Sequence, residues 1–176
     1  MTINVREQRP AGEPRGTVLC VHGFPESSYM WSALLGALAA GGWRALAPDL
    51  PGYGDSPYSG DGSWAAQVAA LDRVWGEHAS GEPVVLVVHD WGGIIGLRWA
   101  LEHPDRVCAL VISDTGYFPD GRWHDMAKTL RTPGEGETLI AQFSETLLAQ
   151  VLGTVSTGVG PDSAREYAKA FATEEG

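Results

Sequence analysis

Val84-Val85-Leu86-Val87-Val88-His89-Asp90-Trp91-Gly92-Gly93 decides how the rest of the chain is read. Five valines and leucines between Pro83 and His89 predict a strand buried on both faces. From Gly92 to Ala100, with Ile94, Ile95, Leu97 and Trp99, the apolar spacing suits a helix packed closely on that strand. A strand that turns sharply into a helix presents one side chain at its tip, here Asp90, in the geometry of a nucleophile elbow with aspartate in place of serine. The unpaired N–H groups of the helix start favour negative charge at that tip. An aspartate there equally suits a helix N-cap, so this stretch alone leaves both roles open.

Working outward, strands and helices alternate. Ile3–Glu7 reads as a first strand, Ala11–Gly16 as a turn of hairpin type, and Thr17–Val21 as a strand ending in His22-Gly23-Phe24-Pro25. A helix through Trp31, Leu34, Leu35 and Leu38 stops at Gly41-Gly42. Trp43–Ala47 is a strand, Ser63 caps a helix running to about His78, and Val107–Ser113 is a strand ending at Asp114. This order predicts an α/β fold, a mostly parallel sheet with helices on both faces and its chemistry at the carboxyl ends of the strands. After Tyr117-Phe118-Pro119 no strand alternation returns. Helical patterns over Thr138–Val151 and Ala164–Phe171 read as a cap, giving a core over 1–118 and the start of a helical cap over 119–176.

Composition narrows the function. The 176 residues are 44% hydrophobic and 19% charged, which describes a globular chain. The net charge of −10 argues against nucleic acid and anionic membrane as partners, and no apolar run approaches membrane-spanning length. Seven tryptophans suit a lined apolar cavity, and core packing explains them equally well. Cys20 and Cys108 lie in separate apolar strands and are expected as buried free thiols. With a polar Met1–Glu7, they point to a cytoplasmic location. There is no clustered His/Cys set and no phosphate-binding glycine loop, so no metal or organic cofactor is expected.

Three motifs, in order, resemble the haloalkane dehalogenase and epoxide hydrolase branch of the α/β-hydrolase fold: His22-Gly23-Phe24-Pro25-Glu26-Ser27-Ser28-Tyr29-Met30-Trp31, Pro48-Asp49-Leu50-Pro51-Gly52-Tyr53-Gly54-Asp55-Ser56, and Val88-His89-Asp90-Trp91-Gly92-Gly93. The resemblance implies that Asp90 attacks an sp³ carbon of a small apolar substrate, leaving an alkyl ester that a histidine-activated water hydrolyses. It implies an oxyanion hole from the backbone N–H groups of Phe24 and Trp91, with the Trp91 indole N–H available to a leaving halide. Asp114 stands where some dehalogenases carry the acid that orients the histidine; a loop aspartate bonding its own turn is the alternative. Trp123 is a candidate second halide donor or a packing residue.

The motifs divide between the two activities. His22–Ser28 is closer to epoxide hydrolases, yet the tyrosine that protonates an epoxide oxygen has no counterpart between Tyr117 and Tyr167. Dehalogenation is the preferred expectation. None of His22, His78, His89, His103 and His124 occupies the family's place for the base, which implies a missing C-terminal segment that carries the catalytic histidine. Without it, the sheet is expected to expose an edge and an apolar face. A non-catalytic binding protein and a serine-type ester hydrolase are the rival readings, the latter disfavoured by aspartate at position 90.

Overall fold

The computed structural model describes residues 2–116 and 120–172. Strands β1 (Val5–Gln8), β2 (Thr17–Val21), β3 (Arg44–Pro48), β4 (Val84–His89) and β5 (Val107–Ser113) form one sheet in the order β1-β3-β2-β4-β5. All neighbours are parallel except β1 against β3. The Ala11–Gly16 turn is therefore no hairpin. The chain leaves β1 at the sheet edge, crosses β3 and enters beside it, because β1 pairs antiparallel with the strand that follows β2.

Helices cover both faces. Helix α1 (Ser32–Ala40), with Trp31 and Leu35, packs on Val18, Cys20, Ala45, Ala47 and Val87. Helices α2 (Trp64–His78) and α3 (Asp90–Glu102) place Val68, Leu71, Val74, Ile95 and Trp99 on Leu19, Val21, Leu46, Leu86 and Val88. Strand residues alternate between the two clusters, as the period of a pleated strand requires. β4 lies between β2 and β5 and feeds both cores, which is why its sequence is apolar without interruption.

Two buried polar residues lock the loops at the carboxyl ends of β2 and β3. The His22 ring accepts the Leu50 N–H at Nε2 (3.0 Å) and donates from Nδ1 to the Gly23 carbonyl (2.8 Å), tying one loop to the other. Burial holds this imidazole below the ordinary histidine range, against the opposing pull of the Gly23 carbonyl, Asp49 and Asp90. Asp49 accepts from Asn4 Nδ2 and the Ser28 N–H, both at 2.7 Å, and from the Asp55 N–H at 3.0 Å. Burial pushes its carboxyl up, but these donors outweigh it and hold the carboxyl below the usual aspartate range.

After β5 the chain is helical: α4 (Asp125–Leu130), α5 (Glu135–Ile140), α6 (Glu145–Val155) and α7 (Pro161–Ala168), with a final 3₁₀ turn over Lys169–Phe171. The single helix expected over Thr138–Val151 is two, broken where Ser144 caps α6 by accepting the Leu147 N–H. The expected core–cap boundary at 118/119 lies outside the described residues. The helical segment docks on the core through charge: Lys169 Nζ meets Asp55 (2.9 Å) and Glu166 (3.1 Å), and Glu166 meets Arg6 (2.7 Å).

Strand β5 behaves as an uncovered edge. Leu110, Val111 and Ile112 are each about half exposed, and the expected unpaired edge and bare apolar face are both present. Cys108 lies on this strand and is exposed, contrary to expectation, because no element among the described residues covers it; Cys20, in the centre of the sheet, is buried. Among the described residues no helix is long and apolar enough to cross a membrane.

Asp49 supplies a pH test. Its depressed folded-state pKa adds stability that is fully present above the unfolded-state value and lost as pH falls through the folded-state value. Asp49→Asn is expected to cost about 2 kcal/mol at neutral pH. It should also flatten the acid limb of the stability profile, as read by urea unfolding across pH.

Candidate active site

The β4–α3 junction places Asp90 at φ +48°, a left-handed backbone for a side chain with a Cβ. Such strain persists only where the surroundings impose it. Here they do so by proximity. A Cβ on Gly92 would run into the backbone carbonyls of Val21 and His22, and one on Gly93 into the side chain of Thr115. Helix α3 can start directly against the end of β2 only with glycine at position 92, and against Thr115 beyond β5 only with glycine at position 93. Thr115 Oγ1 donates to the Asp90 carbonyl (2.6 Å), clamping the elbow from the β5 side.

The carboxylate faces a donor already in place. The Phe24 N–H reaches Asp90 Oδ1 at 2.8 Å. The Phe24 ring turns the other way, onto Phe143 (5.9 Å) and Phe171 (5.9 Å) of the helical segment. A residue whose side chain cannot donate therefore contributes its backbone to the site and its ring to docking the helices above it.

An open cavity of about 780 Å³ is bordered by Asp90, Trp91, Ile94, Asp114, Trp123 and His124, among others. Asp114 sits at the end of β5 at φ +42°, and Ser113 Oγ is 3.1 Å from its Oδ2. Asp90 and Asp114 are the two non-glycine residues with positive φ among those described, and both border this one cavity. Trp91 lies stacked on Trp64 (4.6 Å, 15°) and tilted against Trp123 (6.2 Å, 30°), with the Arg131 guanidinium over the Trp123 ring at 4.7 Å. Trp64 is part of the site that sequence reasoning missed. Its place as the first residue of a capped helix was legible; the fold of the loop before it, which brings it to Trp91, was not.

Of the five histidines, His124 alone borders the Asp90 cavity. Its Nδ1 accepts the Ala127 N–H (3.3 Å) to cap α4, which puts the ring proton on Nε2 and leaves no lone pair there for a base. His22 is held by backbone at both nitrogens. His89 points to Glu26 (3.7 Å) and His103 to Asp72 (3.3 Å). Burial raises the Glu26 carboxyl above its ordinary range, with His89 and the Gly23 backbone pulling the other way and Asp90 adding to the rise. Among the described residues no group of three or more His, Cys, Asp or Glu is placed to hold a metal ion.

The elbow's tolerance is testable. Gly92→Ala is expected to destabilise the fold by about 3 kcal/mol, since backbone rather than a mobile side chain blocks the added methyl group. Thermal unfolding should show the loss, while Gly36→Ala, inside α1 with open space at its Cβ, should stabilise slightly as the control.

The chain is similar to known proteins. A haloalkane dehalogenase of Mycobacterium marinum is 38% identical over 119 residues, covering 66% of this chain and 39% of the relative. An enzyme named epoxide hydrolase 3 from Siraitia grosvenorii is 45% identical over 109 residues, covering 58% of this chain and 33% of the relative. The chain thus matches only about a third to two-fifths of the length of these curated relatives. The crystal structure of a haloalkane dehalogenase loop variant from Bradyrhizobium elkanii superposes with a TM-score of 0.79 at 28% identity, over 98% of this chain and 62% of that one. A family profile for the alpha/beta hydrolase fold matches residues 16–175, and the chain belongs to that family.

Proposed function

We propose that the protein is a hydrolase that works through an aspartate nucleophile, with haloalkanes as the preferred substrate class. The observation that carries this reading is the strained Asp90 at the elbow, with the Phe24 N–H already on one carboxylate oxygen. Oδ2 of Asp90 is then the attacking atom. It bonds to the sp³ carbon as the halide departs with the bonding pair, and Oδ1 becomes the carbonyl oxygen of the alkyl ester. Water next attacks the ester carbon. The negative charge that develops on Oδ1 meets the Phe24 N–H, with the Trp91 N–H as its expected second donor. The alcohol leaves and the carboxylate is restored with one oxygen from water.

The water needs a base, and the hydrogen bonds of His22 and His124 disqualify both. We infer that the base is a histidine from sequence beyond the 176 residues, with Asp114 at the cavity mouth as the acid that orients it. Trp91, Ile94, Trp123 and Ala127 make the rest of the cavity suited to a small apolar substrate.

Epoxide hydrolysis is the second reading, favoured by the similarity to the Siraitia grosvenorii enzyme and by the His22–Ser28 motif. Opening an epoxide leaves an alkoxide that requires a proton, whereas a halide requires only hydrogen-bond donors. The described lining of the Asp90 cavity offers indoles and no phenol; Tyr167 is buried with Leu148 and Ala164, and Tyr117 lies outside the described residues. That chemistry favours the halide.

The deciding experiment offers short haloalkanes and epoxides to the full-length protein. It measures halide release and diol formation for wild type and Asp90→Asn. Halide release that Asp90→Asn lowers by at least about a thousandfold is the expected outcome. Diol without halide moves the assignment to epoxides, and turnover retained by Asp90→Asn refutes the nucleophile.

A further inference from the structure

Trp91 separates two spaces. In front lies the open cavity that also contains Asp90; behind lies a second cavity of about 330 Å³, bordered by Gly23, Tyr53, Trp64, Gln67, Trp91 and Ile95. A side chain backed by protein is held by close packing, but one backed by a void of this size is not. The Trp91 indole has room to swing away from the nucleophile. What meets its faces is aromatic: Trp64 flat against it at 4.6 Å and 15°, and Trp123 tilted at 6.2 Å on the cap side. We propose that Trp64 is a positioning residue whose ring holds the Trp91 indole against the Asp90 cavity and out of the void behind it.

The two flanking indoles are anchored unequally. Trp64 is the first residue of α2, and its backbone is fixed by a chain of caps. Ser63 Oγ accepts the Ala66 N–H at 3.2 Å, and Asp61 Oδ1 accepts the Ser63 N–H at 2.8 Å. Trp123 belongs to the loop before α4 and is steadied by Arg131 over its ring. The core side of the sandwich is thus the fixed wall, and the cap side closes onto it. Stacked on Trp64 and flanked by Trp123, the Trp91 indole has an edge to offer its substrate, the orientation in which an indole N–H or C–H meets an electron-rich leaving group. Trp64 itself is 41% exposed, so it contributes little to the core, and its place at the surface is explained by the ring it supports.

The catalytic consequence rests on Asp90 being the nucleophile; the positional one does not, and the test separates them. Full-length protein is labelled with fluorotryptophan, and the Trp91 signal in fluorine NMR is assigned with Trp91→Phe. In Trp64→Ala the Trp91 signal is expected to shift and broaden or split as the ring samples both cavities. In Trp64→Phe, which restores a flat ring, it should stay single. Turnover should fall about tenfold in Trp64→Ala, mainly in kcat, and recover largely in Trp64→Phe. Trp64→Leu keeps bulk without a stacking face and should resemble Trp64→Ala. Loss of the Trp64 ring current shifts the Trp91 signal by itself, so a signal that stays single and sharp in both Trp64→Ala and Trp64→Leu overturns the proposal, as does a broadened or split signal with wild-type turnover. A wild-type protein that turns over neither substrate refutes the proposed function and leaves the fluorine signals to decide the positioning.

Discussion

The close approach of α3 to the end of β2 is the constraint on which the site depends. It leaves no volume for a side chain at Gly92, Thr115 leaves none at Gly93, and Asp90 just before them adopts a left-handed backbone. The cost is local, of order 1 to 3 kcal/mol, and the two-sided core built on β4 sustains it. The same approach puts Asp90 Oδ1 onto the Phe24 N–H, so the half-buried carboxylate and its first donor come together. The donor is already on the carboxylate with no substrate bound, the preorganisation that electrostatic stabilisation exploits.

Around the elbow, polar groups that form no part of the carboxylate's own contacts hold the loops that do. His22 and Asp49 are buried and spend their hydrogen bonds on backbone from neighbouring loops. Sequence motifs that look like one functional cluster therefore divide by role. In the first motif Phe24 supplies an N–H to the site while His22 is a strut. In the second, Asp49 organises the chain that leads toward α2 and Trp64.

The opposite flank is built differently. β5 ends in a second left-handed aspartate on the same cavity, yet its apolar side chains face solvent. One wall of the site is thus part of a sheet whose outer strand has one neighbour among the described residues. The helical segment above is tied to the core by the Lys169–Asp55 and Arg6–Glu166 contacts and by the three-phenylalanine cluster, away from that open side.

Sequence alone determined the elements whose causes are local or periodic. The two-faced strand β4, the glycine pair after Asp90, the Ser63 cap and the alternation of strand and helix all follow from spacing and side-chain type. The three motifs then led to the fold. Where partners are distant in the chain, the pattern fell short. β1 turns antiparallel onto β3 because edge pairing is decided by the finished sheet, not by the turn between β1 and β2. Cys108 reads as buried because an apolar strand expects cover, and cover is a property of neighbours. The break before Ser144 escaped notice because the apolar spacing runs through it, although the serine was in plain view. Trp64 became part of the site only when the 26 residues between it and Trp91 folded back, since stacking at 4.6 Å is set by the meeting of α2 and α3, which no local sequence encodes.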